Sequence, residues 1–127
     1  MKLLSIILGL MLMLTSLSGA AFEKEAKSRN AVITLSSEKP LVVGNNTIVF
    51  EVKKDNKLTS GDEITVKAFM PAMPGMPYME NKDVARELGN GKYESVVNFS
   101  MGGTWQIQIF VKPKIGKKYR VKTSVNL

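Results

Sequence analysis

Trp105-Gln106-Ile107-Gln108-Ile109-Phe110-Val111-Lys112 is the stretch on which the fold turns. Trp105, Ile107, Ile109 and Val111 fall on one side and Gln106 and Gln108 on the other, a period of two that predicts a strand with one buried face. The same beat recurs on either side of it. Tyr119, Val121, Thr123 and Val125 alternate in phase; Ile48, Phe50 and Val52 oppose Glu51 and Lys53; Ile64, Val66 and Ala68 oppose Thr65 and Lys67. Seven candidate strands result: Ala31–Leu35, Thr47–Lys53, Ile64–Phe69, Asp83–Leu88, Lys92–Phe99, Trp105–Lys112 and Tyr119–Val125. Gly44-Asn45-Asn46, Ser60-Gly61-Asp62, Gly89-Asn90-Gly91, Gly102-Gly103 and Pro113 to Gly116 punctuate them at the spacing of a sandwich. The reading is an all-β, immunoglobulin-like antiparallel β-sandwich of about seven strands with a single core.

Upstream of these strands the composition changes. Met1-Lys2 precedes an uncharged apolar run, and Ser18-Gly19-Ala20 offers small residues for cleavage, so residues 1–20 are expected to be a signal peptide. The uncharged stretch from Leu3 through Phe22 is also long enough, at ~20 residues, for an uncleaved membrane anchor. Either way the folded part is expected to be exported, periplasmic or otherwise extracytoplasmic. Residues 21–30 are charged and read as a polar tether, leaving 31–127 as the sandwich domain.

The 127 residues contain no His and no Cys. Thiol chemistry, His-based triads, zinc sites and the common haem ligation schemes are thereby excluded. In an oxidising compartment with no disulfide available, the domain must be held by its core alone. Among the carboxylates, the adjacent pair Asp62-Glu63 falls in a turn where both are solvated, and no Ser-x-x-Lys signature appears, so no enzyme activity is expected.

What remains as soft chemistry is methionine. Of eight Met, three lie in the leader and four in Met70-Pro71-Ala72-Met73-Pro74-Gly75-Met76-Pro77-Tyr78-Met79. Each Pro removes a backbone donor and pushes the preceding Met towards extended conformations, so this segment is expected to leave the strand ending near Phe69 as a loop. As polyproline II it would string the sulfurs along a ridge; as a type II turn, with Pro74 and Gly75 at its centre, it would bring Met73 and Met76 together. If strands alternate up and down, the loop holding Met101 reaches the same end, with Trp105 beside it. Thioethers are soft, neutral donors suited to Cu(I), which makes Met70, Met73, Met76, Met79 and Met101 the candidate metal ligands. Trp105 is then a candidate cation–π cap. Two other uses fit the same residues. Met is an adaptable gap-filler, so the loop also reads as an apolar lid over the sandwich, or as a contact surface for another exported protein.

Ala68 to Met76, then Gly89-Asn90-Gly91-Lys92-Tyr93, then Met101-Gly102-Gly103-Thr104-Trp105-Gln106-Ile107 together resemble the YtkA-like domain family and the related FixH-like proteins, over roughly residues 30 to 125. The resemblance implies an exported or membrane-anchored immunoglobulin-like domain without enzymatic activity. It also implies association with copper handling, in which a metal-efflux or oxidase-assembly component would be the partner.

The 18 Lys and Arg outnumber 11 Asp and Glu, giving a formal charge of +7. The densest cluster, Lys112, Lys114, Lys117, Lys118, Arg120 and Lys122, reads as a solvated face or as a contact for an anionic membrane surface or acidic partner. Nucleic acid is not expected, since no aromatic residues interleave the basic ones in an exported chain.

Overall fold

The computed structural model describes residues 21–127, and the expected leader or anchor at 1–20 lies outside the described residues. Ten strands follow in order: β1 (Phe22–Ser28), β2 (Ala31–Ser37), β3 (Gly44–Lys54), the two-residue β4 (Lys57–Leu58), β5 (Glu63–Met70), β6 (Met79–Val84), β7 (Arg86–Gly89), β8 (Lys92–Phe99), β9 (Thr104–Lys112) and β10 (Tyr119–Asn126). One sheet has the order β1-β2-β3-β8-β7, with β4 attached to β3; the other has the order β10-β9-β5-β6. Leaving out β1, β4 and the edge strand β6, β2-β3-β8-β7 against β10-β9-β5 is the four-on-three strand arrangement of an immunoglobulin sandwich.

Alternation places the core where the sequence predicts it. Trp105, Ile107, Ile109 and Val111 of β9 are buried, as are Ile64, Val66 and Ala68 of β5 and Ile48, Phe50 and Val52 of β3. Phe99 meets Trp105 edge to face with ring centroids 5.5 Å apart, filling the space between the sheets near the start of β9. Tyr93, fully buried, sends its hydroxyl to the 59–62 turn, donating to the Thr59 carbonyl at 3.2 Å and accepting from the Asp62 amide at 3.2 Å. That phenol joins the hydrogen bonds of the Thr59 amide to Val52 and of the Gly61 amide to Glu87 in holding the connection between β4 and β5.

Two segments differ from their sequence reading. Residues 22–28, read as a polar tether, form β1 and pair with β2 residue for residue from Phe22 opposite Ser37 to Ser28 opposite Ala31. Ala26 points into the core while Glu23, Glu25 and Lys27 face solvent, and such charges suit an edge strand because they discourage further pairing. The Lys24 ammonium also donates to the Ser124 carbonyl, tying β1 to β10 of the other sheet. The second difference is at Asp83–Leu88, read as one strand. It breaks at Ala85, so that β6 joins one sheet and β7 the other. Beyond Glu94, β8 has no ladder partner on that side among the described residues, and β6 side chains substitute for one. Asp83 accepts from the Val96 amide at 3.1 Å and the Ser95 hydroxyl at 2.8 Å, and Asn81 accepts from the Asn98 amide at 3.0 Å. These bonds meet the demand that each backbone donor near the core find an acceptor.

Candidate functional site

The Met-Pro segment is the tip of the β5–β6 hairpin. Met70 pairs with Met79 at the end of the regular ladder. Pro71 and Pro77, which have no N–H to give, follow, and the ladder lapses there. It resumes for a single pair, Met73 opposite Met76, whose amides and carbonyls bond reciprocally at 2.9 and 2.8 Å. Between them Pro74-Gly75 makes the turn, and Gly75 has φ +80°, the value a type II turn requires at its third residue. The expected turn is therefore formed, and the alternative ridge of polyproline II is not.

Burial separates the four methionines. Met70 continues the inward phase of Ile64, Val66 and Ala68 and is 3% exposed. Its position is core, as the lid reading expects for that residue. Met76 and Met79 are partly buried and pack on the edge of the core, while Met73 at the tip is 51% exposed. Tyr78 is exposed as well, stacked on Phe69 with centroids 6.1 Å apart. Its hydroxyl donates to Glu80 at 2.8 Å, and Lys67 reaches the same carboxylate at 3.2 Å. The Tyr78 and Lys67 hydrogen bonds hold the Glu80 carboxyl below its ordinary range, and the bond to Glu80 raises both Lys67 and Tyr78. This surface network sets the outer face of the hairpin.

The loop between β8 and β9 lies against the hairpin, as strand alternation predicts. The Ser100 hydroxyl lies 3.2 Å from the Met79 sulfur, within range to donate to it, and a Cβ placed on Gly103 would stand 3.0 Å from the Met70 methyl. Gly103 is itself held by two backbone bonds to Leu127, at 3.0 and 3.3 Å. Met101 packs partly buried on the core, and its carbonyl accepts the Trp105 indole N–H at 3.0 Å. Trp105 itself is 1% exposed, so the indole proposed as a cap over a cation is instead a core ring that positions the Met101 loop. Ser100 is the residue that sequence reading missed; a lone Ser before a Gly-Gly turn carries no signal without the pairing partner.

Thus Met73, Met76, Met79 and Met101 come to one end of the sandwich with some exposure, and Met70 lies beneath them. Among the described residues no three His, Cys, Asp or Glu side chains gather into a site for a harder metal ion. Two directly opposed residues in a doubly hydrogen-bonded antiparallel pair stand ~5.5 Å apart at Cα with side chains on the same face. For Met73 and Met76 that spacing lets two flexible thioethers approach a common ion. A family model described as YtkA-like matches residues 25–110, which spans β2 to β8, the second half of β1 and most of β9, with the hairpin and the Met101 loop inside it. Comparison with curated proteins and with solved structures returns no match.

Proposed function

The chain belongs to the YtkA-like family, and from that premise we propose that it is an exported, non-enzymatic accessory domain that holds or passes on Cu(I) through the tip of the β5–β6 hairpin. The observation that carries the reading is the Met73–Met76 pair, opposed across a Pro-Gly turn and reachable from solvent. Met79 and Met101 stand nearest in the fold as further donors, and Met70 supports them from the core. Thioethers need no deprotonation, so affinity would be flat with pH, unlike a His or Cys site. The +7 charge gives no steering to a cation, and binding would rest on soft donors and local geometry. The chemistry suits supply to, or removal from, a copper-handling membrane or exported protein.

Anaerobic titration of Cu(I) against a chromophoric chelator tests this. The chain should withdraw copper at micromolar protein, and replacing Met73 and Met76 together by Leu should abolish the withdrawal while leaving the thermal transition in place. Unchanged chelator spectra, or equal withdrawal by the double variant, would refute the metal reading. Exposure of Met73 and Tyr78, 51% and 48%, favours a second use of the same tip as an apolar contact for a partner protein. Leu substitutions would then preserve function and Asp substitutions destroy it, whereas copper binding is lost with both.

A further inference from the structure

At the opposite end of the sandwich, the β9–β10 connection Pro113–Lys118 projects an isoleucine. Ile115 is 92% exposed, and Gly116 after it has φ +110°, which turns the chain back. A β-branched apolar side chain at the apex of a connection gains nothing for the fold. Beside this connection the fold assembles cations that are distant in sequence. Arg29 from the β1–β2 turn and Lys54 from the end of β3 join Lys112, Lys117, Lys118 and Arg120 around a cleft of about 960 Å³. The Tyr119 ring forms part of its wall, with the Lys54 ammonium 4.7 Å from the ring centroid. Glu63 is the one carboxylate on that lining, and among the described residues none of the six cations is ion-paired. The cleft therefore presents a strong excess of positive charge, with an apolar finger on the connection beside it.

We propose that this end of the domain docks on an anionic phospholipid surface, the cleft cations taking headgroup phosphates while Ile115 enters the interfacial acyl region. Charge complementarity selects a polyanionic surface, and Ile115 selects among such surfaces. A nucleic acid or an acidic protein loop would be satisfied by the cations alone, whereas a lipid interface rewards both the charge and the apolar apex. The proposal is independent of the copper reading, because it uses no residue of the Met-Pro hairpin.

Co-sedimentation with vesicles tests it, using the full chain and, beside it, residues 21–127, which hold the ten strands and the buried core of the described residues. The protein should pellet with phosphatidylglycerol in phosphatidylcholine vesicles, stay in solution with pure phosphatidylcholine, and release as salt rises. Lys117→Gln with Lys118→Gln should weaken binding about fivefold per charge removed. Ile115→Ser should weaken it about tenfold without altering the salt slope, and neither variant should shift the thermal transition, since these side chains are exposed. Equal binding to neutral vesicles, or wild-type binding by Ile115→Ser, overturns the proposal. Protection of the cleft by inorganic phosphate with no vesicle binding would assign the cations to a soluble anion and overturn it equally.

Discussion

Replacing Gly103 with Ala tests whether the Met101 loop is locked against the hairpin as described. The added Cβ would stand 3.0 Å from the Met70 methyl, and the backbone there has φ +126°, which L side chains rarely adopt. Strain of the backbone costs about 1–3 kcal/mol, and overpacking against a buried side chain adds about 1 kcal/mol. The two bonds between Gly103 and Leu127 oppose relief by a shift of the loop. A total of about 2–4 kcal/mol, in a domain of this size, lowers Tm by about 10–25 °C. Urea unfolding followed by fluorescence of the single, buried Trp105 measures the loss. Repeating it in a Met70→Leu background separates the two causes, because Leu lacks the terminal methyl that the new Cβ meets. There the cost of Gly103→Ala should fall by about 1 kcal/mol, with the backbone part remaining. A loss below about 0.5 kcal/mol, or equal losses in both backgrounds, would show that Met70 does not lie against this loop.

Two tyrosines should respond to the same substitution with opposite sign. Tyr93→Phe strands the Thr59 carbonyl and the Asp62 amide and should cost about 1–3 kcal/mol in urea unfolding. Tyr119→Phe removes a buried hydroxyl that has no partner among the described residues and should leave stability at pH 7 equal or higher by up to about 1 kcal/mol. Burial pushes the Tyr119 phenol up to about 12, with Asp62 and Tyr93 adding to it. The folded state therefore keeps a proton that the unfolded chain releases near the ordinary tyrosine value of 10. That contribution is complete below pH 10 and is lost as pH rises towards 12, so Tyr119→Phe should flatten the alkaline limb of a stability profile. Asp83→Ala leaves the Val96 amide and Ser95 hydroxyl without their acceptor and should lower stability by about 1–3 kcal/mol, with faster amide exchange at Val96.

The sandwich was legible because each inner strand buries one face completely, and a period of two survives in Trp105–Val111 or Ile64–Ala68 whatever the neighbours are. The edges were less so. In β1 Ala26 is the one fully buried side chain, and pairing with β2 supplies the stability that its Lys and Glu residues hide. The break at Ala85 is tertiary: nothing local says that Asp83 will cap the amide of Val96 in the facing sheet. At the hairpin, Pro74-Gly75 announced the turn and strand alternation announced the approach of Met101. The core position of Met70 was also available from the phase of Ile64, Val66 and Ala68. The indole of Trp105 was misplaced for a related reason: its phase with Ile107 already pointed it inward. Arg29 and Lys54 join the basic cleft through strand ends far apart in the chain, which no spacing rule reports.

A chain with net charge +7 is an awkward carrier for a cation unless its charges are distant from the binding end. The direction of the strands supplies that separation. β9 leaves the Met-Pro end at Thr104 and arrives among the lysines at Lys112, nine residues later. At ~3.3 Å per residue the two ends lie ~25 Å apart, about three Debye lengths at physiological ionic strength. The lysine cluster is thus screened from an ion at Met73 and Met76, and Lys67 and Glu80 on the strands of the hairpin neutralise each other at 3.2 Å. Docking through Ile115 would also hold the methionines away from the lipid surface, turned towards solvent and whatever exchanges copper with them. Concentrating Lys at the Ile115 end therefore serves both proposals at once, and placing charge at the methionine end separates them: Asn126→Lys beside the Met101 loop should weaken Cu(I) uptake while leaving vesicle binding intact. Equal copper uptake at low and high salt by that variant would show that charge at this end does not govern the site.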